Sequence, residues 1–319
     1  MRIFLTGATG VIGRRALPLL VALDHGVTAL VHRPQSRAEI ERAGAVPVHV
    51  DLFARDALQR AVAGHDAVIN LATHLPAGWR MFLPGAWAEN DRIRRVASAN
   101  LVDAAIAGGA TRFIQESFAP ACPDRGEAWI DERTPLAPVR LNRSLVDAER
   151  SAQRFSGGAR TGIVLRFAAF YGPDSWFTRD LIRYVRRGFV PMPGAAESYL
   201  SSVSHDDAAT AVVGALLARA GTYNVVDDEP MRRRAFVDSL AGFWVLARRD
   251  WHRRGRSICS ARSERCWREA CGSRTASCAR NVRGCRSIRA CAKAGGRSRP
   301  RFPRGSCAAS GAPTCRNAV

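Results

Sequence analysis

A glycine-spaced segment near the start of the chain, Thr6-Gly7-Ala8-Thr9-Gly10-Val11-Ile12-Gly13, directly follows a short apolar strand candidate, Arg2–Leu5. Glycine at Gly7 permits a tight turn, glycine at Gly10 permits a close backbone approach, and glycine at Gly13 permits close packing of a helix on a sheet. The first N–H groups of such a helix point towards an anion. The segment therefore predicts a strand, a turn and a helix that together hold a phosphate group.

The following residues continue this alternation of strands and helices. Strand candidates are Arg2–Leu5, Val27–Val31, Val46–Val50, Ala67–Leu71, Arg112–Gln115, Gly162–Phe167 and Thr222–Val225. Helical stretches lie near residues 11–23, 36–43, 55–63 and 91–108. Nearly continuous apolar strands that alternate with helices predict a parallel sheet covered on both faces. The expected fold class is therefore α/β, with a doubly wound parallel sheet of the Rossmann type.

Within such a strand–helix–strand unit, the glycine segment indicates a dinucleotide. The residues expected to contact it in this segment are Gly7, Thr9, Gly10, Val11, Ile12 and Gly13. NAD-binding chains usually carry an acidic residue at the end of the second strand, where it holds the ribose 2′-hydroxyl. Here His32 and Arg33 occupy that place and Arg37 follows, so the guanidinium groups favour a 2′-phosphate. NADP(H) is the expected cofactor, and NAD stays the alternative.

Two further segments at strand ends are expected at the cofactor. Asp51 and Leu52 follow the third strand and are placed to meet the adenine. Leu71, Ala72 and Thr73 follow the fourth strand and would run beneath the cofactor. The loops at the carboxyl ends of parallel strands form the ligand crevice of such a sheet.

The composition changes abruptly near Phe243. Residues 1–242 hold 29 Arg and 25 acidic residues, whereas residues 243–319 hold 18 Arg, one Lys and three acidic residues. The net charge of +20 therefore comes mostly from the tail, and eight of the nine cysteines lie there too. Because the charge does not form a patch on the patterned part of the chain, its distribution argues against nucleic acid as a partner.

The tail itself has no sustained helical or strand period, and three explanations remain open. It is a basic segment for acidic partners, a metal or disulfide module, or the product of a shifted reading frame in a GC-rich gene. The cysteines include no Cys-x2-Cys pair, so no zinc site is predicted. We expect residues 243–319 to be disordered.

In sequence order, the motifs of residues 1–240 resemble those of the extended short-chain dehydrogenase/reductase superfamily, of the NAD-dependent epimerase/dehydratase type. The resemblance rests on TGATGVIG at 6–13, DL at 51–52, NLATHLP at 70–76, ANLVDAA at 99–105, RFIQESFAP at 112–120, LRFAAFYGP at 165–173, SVSHDDAA at 202–209 and GTYNVVDDEP at 221–230. It implies that the substrate lies between the sheet and a small C-terminal lobe.

The chain departs from this family at its proton relay. Members usually carry Tyr-x-x-x-Lys after the fifth strand, and the matching positions here are Leu141 and Leu145. The usual Ser/Thr falls near Phe118. The resemblance therefore implies a cofactor site without the usual acid–base pair. The catalytic candidates are Ser117, Arg143 and Tyr171, and the other candidates to line the crevice are His74, Glu116, Asn142 and Ser144.

These observations predict a Rossmann domain over residues 1–160, the rest of the sheet with a partial substrate lobe over 161–242, and the tail over 243–319. The expected function is an NAD(P)-dependent oxidoreductase or epimerase/dehydratase-like enzyme. Its expected substrate is a small carbonyl or hydroxyl compound, or a compound similar to a nucleotide sugar. The alternative is a non-catalytic regulatory protein that binds NADP(H). The sequence has no long apolar run and no leader pattern, so we expect a cytoplasmic protein, for which a homodimer is one possible assembly.

Overall fold

The computed structural model describes residues 1–76, 80, 83, 85–173, 175–187 and 195–243. The strands in these residues are β1 (Arg2–Thr6), β2 (Gly26–Leu30), β3 (Val46–Val48), β4 (Ala67–Asn70), β5 (Arg112–Phe118), β6 (Thr161–Phe167), β7 (Ala169–Tyr171), β8 (Tyr199–Leu200), β9 (Ser202–Ser204), β10 (Gly221–Val225) and β11 (Met231–Arg232). The α-helices are α1 (Gly13–Ala22), α2 (Arg37–Arg42), α3 (Arg55–Val62), α4 (Ala88–Arg92), α5 (Ser98–Ala107), α6 (Leu145–Phe155), α7 (Trp176–Arg186), α8 (His205–Gly214) and α9 (Arg233–Phe243).

The main sheet has seven parallel strands in the order β10-β6-β5-β4-β1-β2-β3. The chain therefore leaves β1 in one direction and returns to its other side at β4. At such a reversal the loops that follow the strands diverge and leave a crevice. This arrangement confirms the predicted doubly wound parallel sheet. The fifth strand extends to Phe118, three residues beyond its predicted end.

Two apolar layers cover the sheet, because alternate residues of each strand point to opposite faces. In β1, Ile3 and Leu5 pack in one cluster with residues of α1 and α8. Phe4 points the other way, into a second cluster with residues of α3, α5 and α6. All three side chains are fully buried. The two layers hold the sheet rigidly below the crevice.

A row of buried polar side chains crosses the sheet at its carboxyl edge. Thr6 of β1 is in register with Asn70 of β4, which is in register with Gln115 of β5. The Thr6 hydroxyl donates to Asn70 Oδ1 at 2.6 Å, and Asn70 Nδ2 donates to Gln115 Oε1 at 2.9 Å and to Ser98 Oγ at 3.2 Å. Since buried polar groups are costly without partners, this network fixes the ends of three strands relative to α5.

A π-helical turn, Ile93–Ala97, joins α4 to α5, so that one helical segment runs from Ala88 to Ala107. The sequence predicts a helix near 91–108 but does not indicate this turn. Such turns occur often at functional sites. The turn packs against α6, and the ion pair between Arg95 Nε and Asp147 Oδ2, at 3.4 Å, ties the two together.

Smaller elements follow β6. Strands β7 and β9 pair in parallel, β8 and β11 pair in antiparallel fashion, and α7 packs against α9. They occupy the part of the chain predicted to form the partial substrate lobe. Residues 244–319, which include nearly all of the predicted disordered tail, lie outside the described residues.

A buried ion pair fixes α6 to the sheet. Glu149 accepts two hydrogen bonds from Arg166 of β6, at 2.9 and 2.8 Å, and a third from the Ser117 hydroxyl of β5 at 2.6 Å. Side-chain exposure is 4% for Glu149 and 7% for Arg166. A charge buried this deeply is tolerated only when it is paired and fully hydrogen-bonded.

We therefore expect Glu149→Gln to lower the free energy of unfolding by about 3–5 kcal/mol, because it leaves the Arg166 charge buried without its counterion. Arg154→Gln, on the same helix, is the matched control. It breaks an ion pair with Asp103 in which both side chains are half exposed, so its effect stays below about 1 kcal/mol. Urea unfolding followed by circular dichroism measures both. Equal effects of the two substitutions would contradict the role assigned to the buried pair.

Candidate active site

The loop after β1 leaves no room for side chains at two of its glycines. Gly7 has a φ of +70°, and a Cβ there would overlap the carbonyl oxygen of Leu71. A Cβ at Gly13 would overlap the carbonyl oxygen of Gly7. The Gly10 N–H donates to that same Gly7 carbonyl at 3.0 Å. The loop therefore lies as close to α1 and to the end of β4 as backbone allows, and Thr9 and Gly10 are its exposed residues.

The start of α1 provides the electrostatic part of this site. The helix begins at Gly13, and in this fully described segment it has neither a side-chain cap nor an acidic residue in its first turn. The N-terminal N–H groups of a helix and its dipole favour an anion. The glycine loop and the uncapped helix fit the pyrophosphate of a dinucleotide, with Thr9–Gly13 as the segment that would hold it.

Beside this loop lies a cavity of about 380 Å³. Its lining residues are Thr9, His32, Arg33, Ser36 and Glu39. Thr9, His32 and Arg33 are singled out by the sequence. Ser36 and Glu39 were missed, because the turn at Pro34–Ser36 that brings them to the cavity has no clear sequence signal.

The second arginine of this region is positioned differently. Arg37 is not among the residues that line the cavity, and its Nε donates to Glu41 Oε1 at 2.9 Å within α2. Both side chains are exposed. Arg33 is thus the arginine placed at the cavity wall.

The remaining expected cofactor residues lie at the carboxyl edge of the sheet. The Leu71 carbonyl and the Ala72 nitrogen are the atoms closest to Gly7, and Thr73 follows them in an exposed position. Asp51 is exposed beyond β3 and accepts a hydrogen bond from the Phe53 N–H at 3.0 Å. The Leu52 carbonyl accepts from Asn100 Nδ2 at 3.1 Å.

The positions of the absent relay lie at the start of α6. Leu141 belongs to a 3-10 turn, Arg140–Asn142, and Leu145 is the first residue of α6, where it is buried. Between them, Asn142 and Ser144 are buried, and Asn142 Oδ1 and Ser144 Oγ have no hydrogen-bond partner. Neither leucine carries a group that exchanges protons.

The three catalytic candidates differ in how accessible they are. Ser117 is fully buried and its hydroxyl is occupied by Glu149. Arg143 is exposed just before α6. Tyr171 is 36% exposed at the end of β7, so a substrate can reach it.

Tyr171 forms a pair with Asp227, which follows β10. Burial, the nearby Asp227 charge and a hydrogen bond to that carboxylate all raise the pKa of Tyr171. Burial is also the largest cause that raises the pKa of Asp227, although a hydrogen bond from Ser202 Oγ at 2.9 Å opposes it. The phenol therefore keeps its proton at neutral pH and has a carboxyl group beside it.

The two other polar candidates are held by residues of the α4–π segment. Glu116 is paired with Arg94, whose Nη2 lies 3.1 Å from Oε1, so its carboxylate is not open as a general base. The His74 N–H donates to Asn90 Oδ1 at 3.0 Å, while the ring belongs to an exposed residue. Sequence patterns did not single out Asn90 or Arg94.

Within the described residues, no group of three or more His, Cys, Asp or Glu side chains is placed to hold a metal ion. In the same part of the chain, no helix is long and apolar enough to cross a membrane.

The close contact at Gly13 allows a direct test of the loop's role in packing and in cofactor binding. We expect Gly13→Ala to lower the free energy of unfolding by about 1–3 kcal/mol, because the added methyl group displaces the Gly7 carbonyl. Displacement of the loop also weakens NADPH binding at least about tenfold, equivalent to about 1.4 kcal/mol. Gly26→Ala is the control, since a Cβ at Gly26 meets nothing within 4 Å. NADPH fluorescence titration compares them, and unchanged affinity in Gly13→Ala would refute the placement.

Comparisons with known proteins agree with this geometry. A family model described as "NAD(P)H-binding" matches residues 7–154. A 3-diazoavenalumate denitrifying reductase from a Streptomyces species is 35% identical over 239 residues, which cover 72% of this chain and 77% of the relative. A 4-hydroxy-2-methyl-3-oxo-4-farnesyl-3,4-dihydroquinoline-1-oxide ketoreductase from Stigmatella aurantiaca is 28% identical, over 75% of this chain and 72% of the relative.

Solved structures of epimerases and dehydratases share the fold. A UDP-glucose 4-epimerase from Thermotoga maritima, in complex with UDP-glucose, has a TM-score of 0.66 at 19% identity and covers 78% of this chain and 84% of its own. A mutant dTDP-glucose 4,6-dehydratase from Streptomyces venezuelae with bound NAD has a TM-score of 0.65 at 18% identity, over 90% of this chain and 100% of its own. These identities support the fold only. Together with the reductase relatives and the NAD(P)H-binding domain, they establish that the chain belongs to the extended short-chain dehydrogenase/reductase superfamily.

Proposed function

We propose that the protein is an NADPH-dependent reductase of a small organic substrate. The observation that carries this proposal is the cradle formed by the glycine loop and the start of α1, beside a cavity that contains Arg33. When bound, the dihydronicotinamide supplies a hydride to an electrophilic carbon or nitrogen of the substrate. The protein's own part is to hold the cofactor, orient the substrate and deliver a proton.

The preference for NADPH over NADH rests on the cavity walls. Arg33 offers a forked set of N–H donors that suits a phosphate group, and Thr9 and Ser36 add hydroxyl donors. Glu39 lies in the same wall and opposes this preference, because a carboxylate repels a 2′-phosphate and accepts well from a ribose hydroxyl. We propose that the arginine prevails, with Arg37 as a weaker second cation outside the cavity.

Because Arg33 and Glu39 carry opposite charges, substitutions of the two residues should change NADPH affinity in opposite directions. We expect Arg33→Gln to weaken NADPH binding at least about tenfold and to leave NADH binding nearly unchanged, because only NADPH carries the 2′-phosphate. Glu39→Gln should strengthen NADPH binding by removing a repulsive charge. Arg37→Gln, whose guanidinium is paired with Glu41, should change NADPH affinity by less than about threefold. Calorimetric titrations with both cofactors measure these ratios, and a Glu39→Gln variant that loses NADH affinity instead would identify NAD as the cofactor.

We propose Tyr171 as the proton donor. Of the four tyrosines, Tyr199 donates to Glu127 and Tyr223 donates to the Arg219 carbonyl, both away from the crevice, and Tyr184 lies on α7. Tyr171 follows the carboxyl end of β6, where ligands of such sheets bind. Because its pKa is raised, the phenol is protonated over the whole neutral range, and its hydrogen bond must turn from Asp227 to the substrate oxygen before the proton is transferred.

The substrate class follows from the relatives and from the missing relay. One relative is named as a ketoreductase and another as a denitrifying reductase that acts on a diazo compound. A ketone needs a proton at the oxygen as hydride arrives at the carbon, whereas loss of dinitrogen from a cationic diazo carbon needs no protein acid. Leucines at positions 141 and 145 are compatible with either substrate, provided that Tyr171 serves the ketone.

Steady-state NADPH oxidation with a panel of ketones and aryl diazonium salts tests this proposal. We expect Tyr171→Phe to lower kcat for a ketone about 10²–10⁴-fold while the Kd for NADPH stays unchanged, the size typical of a lost general acid. Tyr223→Phe, which removes a phenol hydrogen bond elsewhere, should retain activity. The rate with a ketone should stay constant through neutral pH and fall only when strongly alkaline conditions ionise Tyr171. Full activity of Tyr171→Phe with every ketone would remove the tyrosine from the mechanism.

A second candidate function is a non-catalytic sensor of the NADP(H) redox state. The observation that favours it is the pair of leucines at the relay positions, which leaves a cofactor site without the family's usual chemistry. The sensor predicts tight NADPH binding, a large difference in affinity between NADPH and NADP+, and no turnover with any substrate of the panel. Turnover with any of them excludes it.

A further inference from the structure

Three side chains of the α4–π segment and β5 form a polar cluster beside the carboxyl edge of the sheet: Asn90, Arg94 and Glu116. Asn90 is fully buried and Arg94 is 3% exposed. Asn90 Nδ2 and Arg94 Nε have no hydrogen-bond partner. A buried donor without an acceptor is destabilising, and here two such donors lie one helical turn apart.

The sheet register places this cluster near the cofactor loop. Thr6, Asn70 and Gln115 form one row across β1, β4 and β5. The next row therefore contains Gly7, the first glycine of the loop, and Glu116. Two strand spacings separate these residues, which corresponds to about 10 Å. Glu116 thus stands at the carboxyl edge, two strands from the loop that would hold the pyrophosphate.

Both donor residues, Asn90 and Arg94, lie on the same face of the α4–π segment. Arg94 lies in the π turn and Asn90 lies one turn before it, so the two side chains project on the same side. Asn90 Oδ1 is used by the His74 N–H of the loop after β4, which fixes the amide so that Nδ2 is the unused atom. Arg94 uses Nη2 on Glu116 Oε1 at 3.1 Å and Oε2 at 3.4 Å. Nε remains as a second unused donor.

We propose that this cluster binds a carboxylate of the substrate, with Arg94 Nε and Asn90 Nδ2 as donors. A carboxylate offers two acceptor oxygens, and a guanidinium is the side chain best suited to it. In this arrangement Glu116 positions the guanidinium, and Arg94 and Asn90 determine specificity. The inference rests on the proposed function, and it narrows the substrate class to carboxylate-bearing compounds.

Among the described residues, neither Asn90 Nδ2 nor Arg94 Nε has a hydrogen-bond acceptor. The nearest acidic neighbour along the helix, Asp91, has a buried Oδ1 that is also without a partner, and so it does not serve the donors either. A neutral acceptor would satisfy the same hydrogen bonds without charge assistance, so a carboxylate is distinguished from it by comparing an acid with its amide. A carboxylate accepts a charge-assisted hydrogen bond from each donor, and such hydrogen bonds are stronger than those between neutral groups.

The test uses the full chain saturated with NADP+ and calorimetric titration with acid–amide pairs: acetate and acetamide, benzoate and benzamide, cinnamate and cinnamamide. We expect at least one carboxylate to bind at least tenfold more tightly than its amide. Arg94→Gln should remove this preference. Asn90→Asp should weaken carboxylate binding at least tenfold, because it keeps the acceptor for His74 while replacing the donor with a like charge. Arg95→Gln is the matched control, as Arg95 belongs to the same turn but is exposed and paired with Asp147.

A separate NADPH titration of each variant distinguishes the two proposals. If the wild type fails to bind NADPH, the proposed function is wrong, whatever the titrations with acids show. If NADPH binds but no carboxylate is preferred over its amide, or Arg94→Gln behaves like Arg95→Gln, the carboxylate site is refuted while the reductase proposal stands. If Arg94→Gln does not fold, Asn90→Asp decides alone, and unchanged carboxylate binding in that variant overturns the inference.

Discussion

The contact between the Gly7 carbonyl and the first residue of α1 sets the geometry on which the rest of the site depends. No side chain fits between Gly13 and Gly7, or between Gly7 and Leu71, so β1, α1 and the end of β4 meet backbone to backbone. Such close contact fixes the position of the helix N-terminus relative to the sheet. The same contact holds the exposed Thr9 and Gly10 beside the start of α1, where we propose that the pyrophosphate binds. The same backbone contacts therefore determine both how α1 packs on the sheet and where the proposed binding loop lies.

Two buried polar systems extend this rigidity across the sheet. The row from Thr6 through Asn70 to Gln115 fixes the strand ends below the crevice, and the Glu149–Arg166 pair fixes α6 above β6. The second system is informative because α6 begins at Leu145, one of the two leucines at the positions where the family's tyrosine and lysine are expected. The ion pair holds this helix on the sheet whatever residues stand at its start.

Much of the fold follows from local patterns. The strands β1, β2, β4 and β6 were predicted to within one residue at each end, because nearly continuous apolar runs between turn residues have few other solutions in a parallel sheet. The glycine loop was equally readable, since its spacing reflects a steric requirement. Arg33 was predictable from its place at the end of the second strand. The absence of the Tyr-x-x-x-Lys pair stays a prediction, which rests on Leu141 and Leu145.

The other parts of the site depend on contacts that no local pattern encodes. Glu39 and Arg33 line one cavity because of a short 3-10 turn between them, and Arg94 meets Glu116 across 22 residues through a π turn. A buried arginine in a helix reads in the sequence as an ordinary solvated charge. Only the tertiary packing distinguishes Arg94, at 4% side-chain exposure, from its neighbour Arg95 at 61%. Buried polar atoms without a hydrogen-bond partner, such as Arg94 Nε, are therefore features that the structure shows and sequence patterns do not predict.

We propose that the chain holds NADPH on the glycine loop and presents it to a crevice whose polar groups replace the family's usual relay. A crystal structure of the full chain with NADPH tests this most directly. We expect the pyrophosphate on the N–H groups of Thr9–Gly13, the 2′-phosphate beside Arg33, and the nicotinamide in the crevice near Arg94 and Tyr171. A pyrophosphate bound elsewhere, or a nicotinamide ring that contacts neither Arg94 nor Tyr171, would contradict it.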